Sequence, residues 1–236
     1  MTEVVDQRDD TGPVGLPVGE LDRTSVVARL AASLRQQIID GALMPGTRLA
    51  EQAVARHYRV SRHTLREAFR LLSDDHLLVH EEHRGVFVRT LGATDIAEIY
   101  TTRRLVECAA VEYGPLRPET VTGIRAAVRA AQADAAARRW RDVGTSDLQF
   151  HSAITALAGS RRLDDLMRRM LAELRLAFHV MDDPQRFHEP YLHRNDHIAG
   201  LIERDDRTGA VAALREYLDD AEQQLLAGIA ERSGPT

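Results

Sequence analysis

Apolar residues return every three to four positions along most of the chain, and the places where that rhythm breaks divide it into helices. Val27, Leu30, Ala31, Leu34 and Ile38 mark a first amphipathic helix, which Gly41 ends and Pro45-Gly46 turns away from. Leu49, Val54 and Ala55 give a second, shorter one. In the third, Leu65, Ala68, Phe69 and Leu72 fall at i, i+3, i+4 and i+7 and form one apolar stripe. Ser61 stands where an N-cap is needed, and Val60 before it can plug the core. After Leu77-Leu78-Val79-His80, the polar stretch Glu81-Glu82-His83-Arg84-Gly85 precedes the β-favouring run Val86-Phe87-Val88, which is the grammar of strand, turn and strand. From about residue 93 the rhythm is helical to the end. Six helices are predicted, near 94–113, 118–137, 141–158, 161–180, 186–204 and 207–231, with breaks at Gly114-Pro115, Gly159-Ser160 and Asp182-Asp183-Pro184.

The fold class this implies is mostly α: an N-terminal winged helix-turn-helix over 23–90, then an all-helical bundle over 93–231. The break at His57-Tyr58-Arg59 has the length of a helix-turn-helix turn, so the second helix braces the third across a DNA backbone. With its apolar stripe buried, the third helix leaves Arg62, His63, Arg66 and Arg70 outward, and the wing tip presents His83, Arg84 and the Gly85 amide. An arginine-rich face is by itself commonly a solvated surface. The three helices and the hairpin in this order turn the reading to double-stranded DNA.

Arginine suits that role, because its planar fork bonds bidentately to guanine or to phosphate. The chain has 31 basic residues, however, and all are arginine. Such uniformity fits codon bias, so position carries the argument and residue identity does not. The net charge of −5 looks wrong for a nucleic-acid binder until it is divided. Residues 24–90 hold ten arginines against seven acids, leaving +3; residues 1–23 hold two against six, and residues 91–236 nineteen against twenty-three, leaving −4 each. A basic module on an acidic partner suits focused DNA contact. The single cysteine, Cys108, excludes an internal disulfide framework, fits a reducing cytoplasm and reads as a small core filler. The acidic start has no apolar signal segment, no run approaches the about 18 apolar residues of a membrane span, and residues 1–22 read as a disordered leader.

Within the helical half, Asp147 and His151 are four apart and share a helix face. A carboxylate and an imidazole so placed can be two ligands of one divalent ion if other helices supply more, or simply a hydrogen-bonded or exposed pair.

The stretch from Ile38 to Val88, through Ile-Ile-Asp-Gly-Ala-Leu-Met-Pro-Gly-Thr-Arg-Leu-Ala-Glu (38–51), Val-Ser-Arg (60–62), Leu-Arg-Glu-Ala-Phe (65–69) and Arg-Gly-Val-Phe-Val (84–88), resembles the N-terminal domain of the GntR superfamily of bacterial transcriptional regulators. That resemblance implies a homodimer on a palindromic operator, with recognition-helix residues in the major groove, where Arg62 and Arg66 match the arginines that read bases or grip phosphates, and the wing tip, Arg84 and Gly85, reaching the minor groove; Ser61, His63, Thr64 and Arg70 are the further DNA-contact candidates of the same helix. Asp-Leu-Gln-Phe-His (147–151), Arg-Arg-Leu-Val-Glu (103–107) and Ile198-x-x-Leu201-Ile202-x-x-x-Asp206 followed by Ala210, Leu214 and Leu218 are similar to the FadR-like branch, whose helical ligand-sensing domain is called FCD. Many members of that branch hold a metal with one Asp and three His, and bind a carboxylate effector through an arginine. Asp147, His151 and Arg103 match those positions.

The pattern then departs, because Asn195 and Tyr217 stand where the remaining two histidines are expected. His193 and His197 flank Asn195, but at about 100° per residue they point roughly 200° away from it. The expectation is therefore a metal-free polar pocket for a small effector bearing a carboxylate: Arg103 anchors the anion while Asp147, His151, Asn195 and Tyr217 discriminate by hydrogen bonding. The alternatives are a structural network in which these five satisfy one another, and a metal-dependent sensor or hydrolase holding Zn or Ni on Asp147 and His151. No nucleophile elbow or phosphate loop appears, and the expectation is a regulator, a repressor, rather than an enzyme.

Overall fold

The apolar stripes do become buried helix faces. In a computed structural model that describes residues 21–179, 181 and 183–232, the chain runs α1 (Leu21–Ile39), β1 (Arg48–Leu49), α2 (Glu51–Tyr58), α3 (Arg62–Asp74), β2 (Leu78–Glu81), β3 (Gly85–Val88), α4 (Ala93–Tyr113), α5 (Pro118–Ala136), α6 (Trp140–Ala156), α7 (Arg161–His179), α8 (Pro184–Glu203) and α9 (Arg207–Arg232). The expected disordered leader lies outside the described residues except for Leu21 and Asp22, which belong to the first turn of α1.

Leu30, Leu34 and Ile38 of α1 meet Leu65, Ala68, Phe69 and Leu72 of α3 in one core, and α2 closes against α3. Two boundaries differ from the expectation. The turn between α2 and α3 is Arg59 to Ser61, because His57 and Tyr58 complete α2 and Arg59 takes the left-handed conformation that ends it (φ 53°). Leu49 is not in the second helix. After the Pro45-Gly46 turn the backbone is extended, Arg48 pairs with Phe87 and Leu49 with Val86, and the wing becomes a three-stranded sheet in the order β1-β3-β2. Two residues are too few to show an alternating pattern, so the sequence carried no strand signal there.

The six helices of the second half fall close to their expected limits. Pro184 opens α8 instead of breaking the chain before it: Asp183 caps the helix by accepting from the Arg186 amide at 3.0 Å, and proline at the first turn loses no helical hydrogen bond. α6 runs through the middle, touching α4, α5, α7 and α8, while α9 lies along α4 and α8. α7 also reaches the winged half. Arg175 Nε and His179 Nε2 both bond the Ile39 carbonyl at the C-terminal end of α1, at 3.2 and 2.8 Å, and Arg89 bridges Glu173 and Asp95.

Candidate functional site

The winged half presents a polar surface built on one rigid helix. Ser61 Oγ accepts from the Thr64 amide at 3.0 Å, so the start of α3 is fixed by its own cap. Burial of Leu65, Ala68, Phe69 and Leu72 sets the rotation of α3, which leaves Arg62, His63, Arg66 and Arg70 exposed. These cations are not equally free. Arg66 is held by Glu51 of α2 at 3.1 Å, and Arg70 by Asp74 at 3.1 Å and Glu67 at 3.4 Å. No described carboxylate pairs with Arg62. At the wing, Arg84 pairs with Glu81 and lies 5.4 Å from the Phe87 ring centroid. Gly85 has φ 109°, a conformation that favours glycine, and a β-carbon there would stand 3.5 Å from Arg48 Nε. Arg48, exposed beside the wing tip, is a cation that sequence reasoning missed, because its strand was invisible.

The second constellation is inside the helical half, where four helices converge. Arg103 and Glu107 come from α4, Asp147 and His151 from α6, Asn195 from α8 and Tyr217 from α9, and all are buried. Asp147 Oδ1 accepts from Asn195 Nδ2 at 2.7 Å and from the Tyr217 hydroxyl at 2.8 Å. Glu107 accepts from Arg103 Nε at 2.8 Å and from His151 Nδ1 at 2.6 Å. The Tyr217 ring packs 4.9 Å from the His151 ring and joins the two groups. Thus the five expected residues do meet, and Glu107 is the sixth member. Its signal was present in the sequence, one helical turn beyond Arg103.

The charges hold one another. Burial alone would raise the Glu107 carboxyl, but the Arg103 guanidinium and the His151 ring hold it below its ordinary range. Burial would likewise depress Arg103, and Glu107 more than offsets it. Burial and the Asp147 carboxylate push the Tyr217 hydroxyl well above its ordinary value, so it stays a donor. Three polar atoms in this network have no protein partner: Arg103 Nη2, His151 Nε2 and Asn195 Oδ1. The network is therefore only partly self-satisfied.

A divalent metal is poorly served by these residues: Asp147 Oδ1 already accepts two hydrogen bonds, Glu107 is committed to Arg103 and His151, and Asn195 and Tyr217 add neither an imidazole nor a thiolate. His193 and His197 are exposed. Among the described residues no group of three or more His, Cys, Asp or Glu is placed to hold a metal ion.

A capped, cation-bearing recognition helix with a wing, joined to a helical bundle with a partly unsatisfied polar core, is the architecture of a DNA-binding regulator with a second, helical domain. The chain belongs to the GntR family: residues 27–88 match the model for bacterial regulatory proteins of the gntR family, and residues 98–220 match the FCD domain. The crystal structure of a putative transcriptional regulator GntR from Rhodococcus sp. RHA1 is 45% identical, covers 86% of this chain and 98% of its own, and superposes with a TM-score of 0.81. The gluconate operon transcriptional repressor of Bacillus subtilis is 36% identical over 91 residues, 39% of this chain. At that level of identity the chain spans only 35–37% of the length of the curated relatives it matches. The HTH-type transcriptional repressor RspR of Escherichia coli is 22% identical over 201 residues, 81% of this chain and 85% of that one. These relatives are regulators of transcription, and the family match makes this chain a transcriptional regulator of the same family. No helix among the described residues is long and apolar enough to cross a membrane.

Proposed function

We propose that the protein is a homodimeric repressor that binds a palindromic operator through residues 23–90 and is released by a small carboxylate-bearing effector taken up within residues 93–231. The observation that carries the reading is the pairing of an outward cationic α3 with three partnerless polar atoms in the buried core. In the DNA complex, Ser61, Arg62, His63, Thr64, Arg66 and Arg70 face the major groove, and Arg84 and Gly85 reach the minor groove and its flanking phosphates at the wing. Arg66 exchanges Glu51 for DNA, while Arg62 needs no such exchange. Two copies place two such helices about one DNA turn apart.

In the helical half, Arg103 Nη2 faces an anion, while His151 Nε2, an acceptor once Nδ1 donates to Glu107, and Asn195 Oδ1 accept from hydroxyl or amide groups on the same molecule. Each buried polar atom left unsatisfied costs about 1–3 kcal/mol, which a fitting effector recovers. The effector changes DNA affinity only through its different affinity for the two arrangements of the winged halves, commonly about 1–3 kcal/mol. Thermal unfolding with Zn²⁺, Ni²⁺, EDTA and a panel of small carboxylates tests the reading, since a ligand of the native state raises the midpoint. One carboxylate should stabilise the protein and weaken its operator complex in a gel shift. Stabilisation by metal alone, with no carboxylate active, would overturn it.

A further inference from the structure

A cavity of about 270 Å³ lies where the winged half meets the helical half, and it shares no lining residue with the polar core. Its floor is apolar, from Ile39 of α1, Leu148 of α6 and Leu171 of α7. Its charged rim is almost wholly cationic. Arg35 is paired with Asp75, the only carboxylate lining the space, and α7 supplies Arg168, Arg169 and Arg175.

Those three arginines differ in depth. Arg168 is bound to Asp165 at 2.8 Å, but both side chains are more than 60% exposed (61% and 63%), where such a pair is worth little. Arg169 is exposed and no described carboxylate pairs with it. Arg175 is only 5% exposed, and its hydrogen bonds go to the backbone carbonyls of Ile39 and Arg141, at 3.2 and 2.9 Å. Carbonyl dipoles solvate a guanidinium without neutralising it, and the carboxylates that reach Arg175 electrostatically, Asp142 and Asp40, do not offset its burial. Burial accordingly pulls the Arg175 pKa down. An apolar floor edged by four arginines and one carboxylate, an excess of positive charge, matches an amphipathic anion.

We infer that this cavity is a second ligand site, distinct from the polar core, for a small monocarboxylate carrying an apolar body. The body covers Ile39, Leu148 and Leu171, and the carboxylate sits among the α7 arginines. Its occupant would touch α1 on one side and α6 and α7 on the other, spanning the junction of the two halves. α6 then serves two sites from neighbouring faces: Asp147 and His151 point into the bundle, and Leu148 and Ser152 line the cavity.

Titration calorimetry of the full-length protein with octanoate, and with 1-octanol as the uncharged counterpart, tests this without any use of DNA. One octanoate should bind per chain, with 1-octanol at least about tenfold weaker. Replacing the two exposed cations together, Arg168→Ala/Arg169→Ala, should weaken octanoate about tenfold, and Ala172→Trp, which fills the cavity, should abolish binding. If Ala172→Trp does not fold, the arginine pair decides, since those side chains carry no core. No binding of octanoate, equal binding of 1-octanol, or octanoate affinity unchanged in the arginine double variant would each overturn the inference.

Discussion

Individual side chains in the buried core are tied to one another by charge, which makes their removal costly and their titration visible. Glu107→Leu would leave Arg103 without its counter-ion and the His151 Nδ1 proton without an acceptor. We expect a loss of about 3–5 kcal/mol in urea unfolding, with Glu107→Gln intermediate. His188 gives a second prediction. Burial among Phe178 and Phe187 lowers its pKa from 6.5 to about 4. Between those values the unfolded chain takes up a proton that the folded chain refuses. The ring's contribution is therefore undiminished above pH 6.5 and falls as the pH drops towards 4, by at most ~3 kcal/mol. Glu107 adds to the same trend lower down, because its depressed carboxyl stabilises the fold above 4.5 and loses that effect as the pH falls below it. His188→Leu should flatten the dependence between about pH 4.5 and pH 6.5; an unchanged slope would remove His188 as its source.

Single helices carry separable parts of the behaviour. In α3 the cap and the contact face are different residues. Ser61→Ala should cost about 1 kcal/mol of stability. Arg62→Ala should leave stability within about 0.5 kcal/mol and weaken operator binding by about 1–3 kcal/mol in a gel shift if the contact is to a base. Unchanged operator affinity in both Arg62→Ala and Arg66→Ala would end the assignment of α3 as the reading helix. The loop after α1 is constrained differently. Gly41 has φ 76°, and a β-carbon there would lie 2.9 Å from His179 Cε1. Gly41→Ala should therefore cost about 1–3 kcal/mol and disturb the grip of α7 on the Ile39 carbonyl, which hydrogen exchange at the end of α1 would reveal as faster opening.

Taken as one body, the chain is acidic, with a net charge of −5, yet its winged helix-turn-helix lies within residues 24–90, which carry +3. Operator affinity should fall linearly with the logarithm of salt concentration, since bound arginines displace counterions from phosphate. Replacing a phosphate-gripping arginine should reduce that slope by about one, whereas replacing a base-reading one should leave it unchanged. Measured over a salt series, Arg48→Ala and Arg84→Ala should fall in the first group. A slope unaltered by either would place the wing away from the backbone.

Most of the helices, the Ser61 cap and the outward face of α3 were readable from the chain alone, because each depends on residues within about one or two turns of one another. Glu107 beside Arg103 was readable for the same reason, although only the convergence of α4 and α6 gives the pair its third member, His151. Where Asn195 and Tyr217 lie relative to Asp147 depends on the packing of α6, α8 and α9 over separations of 48 and 70 residues; family resemblance suggested their meeting, but periodicity had no means of doing so. The same holds for β1, a two-residue strand that exists because β3 offers it hydrogen-bond partners, and for Arg175, whose carbonyl partner in α1 is 136 residues away. Local free energy selects the elements and their buried faces. Which polar atoms end up paired, and which are left without a protein partner, is settled only when those faces are pressed together.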